Sequence, residues 1–79
     1  MEKVYVVVAK DDCGKILWIT DIFKKWSDAV KSFNWMLDGY RIGMHVKKVK
    51  DGLAHVYYSL PDLYEDIFVT VEILEFIVK

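Results

Sequence analysis

The sequence predicts an α+β domain in the order ββαβββ, with one helix packed on one face of a mostly antiparallel four- or five-stranded sheet. Two observations predict this fold. Strand-like runs flank a single stretch with helical periodicity, and turn segments rich in Gly and Asp join strands in pairs. No linker or repeat divides the 79 residues, so we expect one domain over residues 1–79.

The chain opens with a predicted β-hairpin. The run "VYVVVA" at residues 4–9 is β-branched and apolar on both faces, which is typical of a central strand. The segment "DDCGK" at residues 11–15 has turn composition, and its Gly14 can adopt a positive φ. The returning strand is "KILWITDIF" at residues 15–23.

A helix is predicted from Trp26 to Tyr40, because its apolar residues recur at helical spacing. Ser27 is the expected N-cap, and Asp28 lies in the first turn, where the helix dipole favours a carboxylate. Gly39 or Gly43 is expected to end the helix. The apolar stripe is centred on Phe33 and contains Trp26, Ala29, Val30, Phe33, Leu37 and Tyr40.

Residues 44–60 predict a second hairpin that turns at Asp51-Gly52. A two-residue loop would set Val46 against Tyr57 and mix core-like with polar positions. A three-residue loop at residues 50–52, with Gly52 in the left-handed region, gives apolar matches instead and is preferred. Its pairs are Ile42 with Leu60, Met44 with Tyr58 and Val46 with Val56, and on the opposite face His45 with Tyr57 and Lys47 with His55.

The last predicted strand is "IFVTVEILEFIV" at residues 67–78, and its odd positions form an apolar face. We expect Val30, Phe33 and Leu37 of the helix to pack against Ile67, Val69 and Val71. One helix cannot cover the second face of the sheet, which would expose Phe68, Leu74 and Phe76. Either the sheet curls over these three residues or another subunit covers them, and we expect self-association as a symmetric homodimer.

Composition narrows the class of protein. Hydrophobic residues make up 54% of the chain and aromatic residues 15%, more than one small core can bury. The single cysteine excludes an internal disulfide framework and, without a signal peptide, indicates the cytoplasm. The longest apolar run is much shorter than the roughly 20 residues of a membrane span, so no membrane contact is predicted.

The charge is balanced overall but uneven along the chain. Eleven basic residues face twelve acidic ones, which argues against a strongly basic nucleic-acid binder. Residues 61–75 carry five carboxylates and no base, so the molecule is expected to be dipolar and suited to oriented protein contact. The alternative is that charges on the hairpin edges only maintain solubility. The predicted basic face consists of Arg41, His45, Lys47, Lys48, Lys50 and His55.

No catalytic residues, metal site or cofactor are predicted. Cys13 lies in a turn beside two aspartates, which disfavour its thiolate. His45 and His55 share the polar face of the second hairpin, but zinc requires three or four protein ligands and Lys47 would repel a cation. The carboxylate pairs are adjacent in turns or on opposite strand faces, so none resembles an acid–base dyad.

The position of Trp35 on the predicted helix is not explained by a role in the core. At about 100° per residue it points roughly 160° away from the apolar stripe. It could lie flat over the stem of Lys31 and have no other role, but Trp is the residue type most enriched at binding hot spots. We therefore predict a partner-contact surface formed by Trp35 with Lys31 and Asp38, and by Leu63 and Tyr64 of the acidic loop.

The segment "ILWITDIFKKWSDAVKSF" at residues 16–33 resembles a pattern in small phage and prophage proteins. The pattern is a strand, a short loop and a Ser-capped helix with an Ala two residues on, here Ser27 and Ala29. The resemblance covers about a quarter of the chain and is structural. It implies an accessory factor that binds and modulates host or defence proteins, and it assigns no functional residue.

These observations predict a non-enzymatic protein-binding module, a phage-type inhibitor or modulator that acts by occluding a surface of its partner. The alternative is a nucleic-acid-binding accessory protein that uses the basic hairpin at residues 41–55.

Overall fold

The fold is the predicted ββαβββ arrangement, seen in a computed structural model that describes residues 2–60 and 65–78. One helix packs on one face of a five-stranded antiparallel sheet with the strand order β2-β1-β5-β4-β3. The elements are β1 (Glu2–Asp11), β2 (Ile16–Phe23), α1 (Trp26–Tyr40), β3 (His45–Lys50), β4 (Leu53–Leu60) and β5 (Glu65–Val78).

The core lies between α1 and the sheet face that carries the odd positions of β1 and β5. Phe33 and Leu37 are fully buried there, and Val69 and Val71 lie opposite them, as predicted. The side chain of Ile67, which was expected beside them, is outside the described residues. The rest of the buried cluster is Val7, Ala9, Ala29, Met36, Ala54 and Val56.

The helix is rotated from its predicted orientation. Met36 is buried, whereas Val30, which was expected to pack on the sheet, is only half-buried. Trp26 was expected in the core but is 44% exposed. It is the first residue of α1, and its ring contacts that of Tyr5 at a centroid distance of 5.5 Å. Met36 and Val30 lie about 60° around the helix axis on either side of Phe33. The position of the helix on the sheet therefore decides which of the two is buried.

The ends of α1 also differ from prediction. The N-cap is Lys25, which makes no side-chain cap bond, and Ser27 lies within the first turn together with Asp28. The helix runs through Gly39 to Tyr40, and Arg41 is its C-cap, so neither Gly39 nor Gly43 ends it. The amide of Arg41 donates to the carbonyl of Leu37 at 2.9 Å and closes the last turn.

The second hairpin has the predicted register. Val46 pairs with Val56, His45 with Tyr57 and Lys47 with His55. The turn is tighter than expected, because Lys50 pairs with Leu53 and the irregularity falls between Lys48 and Lys50. The ladder begins at His45, so the predicted pairs of Ile42 with Leu60 and of Met44 with Tyr58 do not form.

Strand β2 contains two irregularities that determine which side chains share a face. Its pairing with β1 shifts register between Val6 and Val8 and again between Ala9 and Lys10. At the first shift Thr20 Oγ1 accepts a hydrogen bond from the amide of Val7 at 3.3 Å and donates to its carbonyl at 3.2 Å. Side chains three positions apart in β2 therefore point to the same side of the sheet.

Gly52 gives the first testable prediction. It has φ +89°, and a Cβ there would lie 3.0 Å from Cη2 of Trp26 and 3.5 Å from Cβ of Ile73. Gly52→Ala combines left-handed backbone strain with this crowding, so we expect it to lower the free energy of unfolding by about 1–3 kcal/mol in urea denaturation.

Gly14→Ala is the matched control for the crowding. Gly14 has a similar φ of +84°, but a Cβ there would meet nothing within 4 Å. We expect it to lose only the backbone term, about 1 kcal/mol. Equal losses of unfolding free energy in Gly52→Ala and Gly14→Ala would show that crowding against Trp26 contributes nothing to the effect at Gly52.

Candidate functional site

An aromatic cleft lies between the C-terminal half of α1 and the edge strand β2. It has a volume of about 560 Å³. Its walls are aromatic and aliphatic, with one carboxylate, and we call it the aromatic cleft throughout. The lining residues are Trp18, Trp35, Met36, Asp38, Gly39, Tyr40 and Ile42.

The fold brings Trp18 to α1 through strand pairing. Trp18 pairs with Ala9 of β1, whose side chain faces the helix, so Trp18 also faces the helix. Its indole Nε1 donates a hydrogen bond to the hydroxyl of Tyr40 at 2.9 Å. This bond connects the edge strand to the last turn of α1 and fixes one wall of the aromatic cleft.

Trp35 also lines the aromatic cleft and is 75% exposed. Gly39 follows it by one helical turn and has no side chain, and a Cβ there would meet nothing within 4 Å. The helix therefore does not fill the cleft from its own side. A large indole therefore lies exposed on the helix beside an open apolar space.

One ion pair lies at the rim. Arg41 Nη1 is 2.7 Å from Asp38 Oδ1, and both side chains are at least half exposed. Such a pair contributes about 1 kcal/mol or less to stability. An apolar centre with a polar rim is the usual anatomy of a protein interface.

The structure places the residues of the predicted partner surface at different locations. Trp35 and Asp38 line the aromatic cleft, whereas Lys31 is exposed on α1 but is not among the lining residues. Leu63 and Tyr64 lie outside the described residues. Sequence reasoning did not assign Trp18, Met36, Tyr40 or Ile42 to this surface, because their proximity depends on how β2 and α1 pack together.

The structure divides the predicted basic face. His45, Lys47 and His55 lie together on the sheet face opposite the helix, which we call the open sheet face, and the pairing of Lys50 with Leu53 places Lys50 there too. Arg41 is paired at the end of α1. Lys48 faces the helix, where its Nζ is 2.7 Å from Asp51 Oδ1 and 3.1 Å from Asn34 Oδ1.

An aromatic group adjoins these bases on the open sheet face. The ring centroid of Phe68 is 5.9 Å from that of His55 and 6.1 Å from that of Tyr57. Among the described side chains, His55 Nδ1 is the buried polar atom without a hydrogen-bond partner.

The residues predicted for self-association share the open sheet face but not one cluster. Phe68 belongs to the aromatic group beside His55. Leu74 and Phe76 pair with Val6 and Val4 of β1, toward the other edge of the sheet. Phe68 and Phe76 are exposed and Leu74 is half-buried.

The turn between β1 and β2 brings three potential metal ligands together. One ligand atom from each of Asp11, Asp12 and Cys13 lies within 4.8 Å of the others. However, Asp11 Oδ1 already accepts hydrogen bonds from the amides of Cys13 at 3.0 Å and Lys15 at 2.8 Å. These hydrogen bonds to the Asp11 carboxylate order the backbone of the turn, and we assign no function to the cluster.

Cys13 gives a second testable prediction. The negative charges of Asp12 and Asp11 raise the pKa of its exposed thiol above the ordinary value. A raised pKa lowers the thiolate fraction near neutral pH, so iodoacetamide should alkylate Cys13 more slowly than it alkylates a free cysteine. Asp12→Asn should speed alkylation and move its pH profile to lower pH, as followed by mass spectrometry. An unchanged pH profile would contradict the electrostatic explanation.

Comparisons of the chain with protein-family models, with curated proteins and with solved structures find no match. Within the described part of the chain, no helix is both long and apolar enough to cross a membrane.

Proposed function

We propose that this chain is a protein-binding module without catalytic activity, and that its partner docks in the aromatic cleft. The observation that carries the proposal is the 75% exposure of Trp35 on a helix whose residues Phe33, Met36 and Leu37 are buried against the sheet. An exposed Trp beside an open cleft of about 560 Å³ would bury a large apolar area in a complex.

The shape and charge of the site favour a protein as the occupant. The cleft lies between a helix and an edge strand, where a protruding apolar side chain of another protein can enter. The rim pair of Asp38 and Arg41 offers one acceptor and one set of donors to the polar surroundings of such a side chain.

We further propose that the module is a phage-type inhibitor or modulator of a host or defence protein and acts in the host cytoplasm as a homodimer. A rigid domain of 79 residues can occlude a partner surface without performing chemistry. The resemblance at residues 16–33 supports this part of the proposal.

A bait comparison tests the proposal. The wild-type chain and Trp35→Ala are immobilised, and proteins captured from host lysate are compared by mass spectrometry. We expect at least one protein to bind the wild type and to be lost from the Trp35→Ala bait. If the two baits capture the same proteins in the same amounts, the aromatic cleft is not the docking site.

A second candidate function is nucleic-acid binding, and one observation favours it. Lys47 and His45 lie on the open sheet face beside the aromatic group of Tyr57 and Phe68, and aromatic rings among bases can stack nucleobases. Against it, Arg41 and Lys48 are in ion pairs with carboxylates.

Salt distinguishes the two candidates. If several phosphates are neutralised, the affinity for single-stranded DNA or RNA should fall steeply between low and physiological salt. Absence of any mobility shift at low salt would remove this candidate and leave the protein-binding proposal unaffected.

A further inference from the structure

We propose that a second copy of this chain covers the apolar half of the open sheet face, giving a two-fold dimer whose two aromatic clefts face away from each other. This inference rests on the self-association included in the proposed function, and it assigns the surface. The six side chains that define the surface are Ile16, Ile19, Ile22, Val6, Leu74 and Phe76.

Strand register places these side chains together. Ile22 pairs with Val6, Ile19 with Val8, and Ile16 with Lys10, so the two irregularities of β2 turn three isoleucines to one face. Across β1, Val6 pairs with Leu74 of β5, and Phe76 follows two positions later. Three adjacent strands thus present one continuous apolar surface.

Four of these six side chains are exposed, namely Ile16, Ile19, Ile22 and Phe76. Ile19 is 58% and Ile22 68% exposed, although both lie in the middle or second half of a strand. Their partners on β1, Val6 and Val8, are buried, although they lie on the sheet face opposite α1. Ile16, Ile19 and Ile22 would leave water only if the apolar surface of another molecule packed against them.

The total surface agrees with a missing partner. The accessible surface is 5771 Å², whereas a folded monomer of 9.3 kDa typically exposes about 5,000 Å². The radius of gyration is 13.6 Å, compared with about 12 Å for a compact domain of this length. The elongated chain therefore exposes about 800 Å² more than a typical monomer, an area comparable in size to what each partner contributes to a standard protein interface.

The charges on the open sheet face favour a second copy of the chain as the partner and indicate where the interface lies. A two-fold axis brings the same patch against itself, so the patch must tolerate its own charges. The other half of the open sheet face carries His45 and Lys47 and would repel its copy. Beside the apolar half, Lys10 and Glu72 neutralise each other at 2.7 Å.

The dimer leaves both aromatic clefts free. Trp18 and the helix lie on the opposite side of the sheet from Ile19 and Ile22. A partner with two copies of its epitope, or one that is itself a dimer, would therefore be held at two points. Such bivalent binding raises the apparent affinity without any new contact.

Sedimentation equilibrium over a range of protein concentrations tests the dimer. We expect the wild type to be dimeric at micromolar concentrations and Ile19→Glu to be monomeric. The dimer dissociation constant should rise by about a hundredfold or more, because the variant buries an unpaired carboxylate at the interface. Circular dichroism checks that the variant folds, and Ile22→Glu, at a more exposed position, replaces it if it does not.

Val49→Glu is the matched control, since it makes the same kind of change at an exposed apolar residue of the other edge strand. It should remain dimeric, and so should Trp35→Ala. A monomeric wild type, a dimeric Ile19→Glu, or a monomeric Val49→Glu would each overturn the assignment. Loss of the dimer with retained capture by the wild-type bait would leave the aromatic cleft proposal standing.

Discussion

Replacing Phe33 by alanine is expected to lower the free energy of unfolding by about 3–5 kcal/mol. Phe33 is fully buried in the core, where α1 packs against β1 and β5. A domain of this length has a total stability of about 4–12 kcal/mol, so the variant should be largely unfolded or close to it. Urea denaturation followed by circular dichroism measures the loss.

Phe33→Leu is the control for this prediction. It keeps an apolar side chain at the centre of the core and should cost about 1.5 kcal/mol or less. If Phe33→Ala were as stable as Phe33→Leu, the packing of α1 on the odd face of β5 would be wrong.

Replacing Trp35 by alanine is expected to leave the fold nearly unchanged and to weaken partner binding strongly. An exposed residue outside the core usually changes stability by about 0.5 kcal/mol or less. Truncating a hot-spot Trp costs about 2 kcal/mol or more in binding, which is roughly a 30-fold rise in the dissociation constant. Thermal melts and titration calorimetry with the captured partner measure the two quantities.

Trp26→Ala is the companion variant. Trp26 is 44% exposed and contacts Tyr5 edge-on, so we expect a stability loss of about 1–2 kcal/mol, less than for a fully buried Trp. Its distance along the helix from the aromatic cleft predicts unchanged binding. A Trp35→Ala protein less stable than Trp26→Ala would place Trp35 in the core and contradict the helix orientation.

Local sequence patterns were sufficient for the element order and for the central pairs of the second hairpin. Matching apolar partners across the second hairpin gave the correct pairing of Val46 with Val56, because a one-residue slip would have turned core residues to solvent. The same patterns could not choose between Val30 and Met36. Both lie about 60° from Phe33 around the helix, and only its position on the sheet decides which is buried.

The aromatic cleft could not be predicted, because it depends on long-range arrangement. Trp18 reaches Tyr40 only because β2 is an edge strand beside β1, and the strand order was not available from the sequence. Ile42 was assigned to a strand by its apolar character, whereas it follows the helix in a turn and is 89% exposed.

The apolar surface of β2 was not predicted from the sequence, for a different physical reason. Ile16, Ile19 and Ile22 are three residues apart, and a regular strand would distribute them over both faces. Two register shifts against β1 place them on one face, and strand periodicity alone does not reveal such shifts.

Fluorine NMR of the chain labelled with 5-fluorotryptophan tests the central claim most directly. The chain has three tryptophans, of which Trp18 and Trp35 line the aromatic cleft and Trp26 lies at the other end of the helix beside Tyr5. Single Trp→Phe variants assign the three resonances. When the captured partner is added, we expect the resonances of Trp18 and Trp35 to shift or broaden while that of Trp26 stays in place. A shift of Trp26 with Trp18 and Trp35 unchanged would contradict docking in the aromatic cleft.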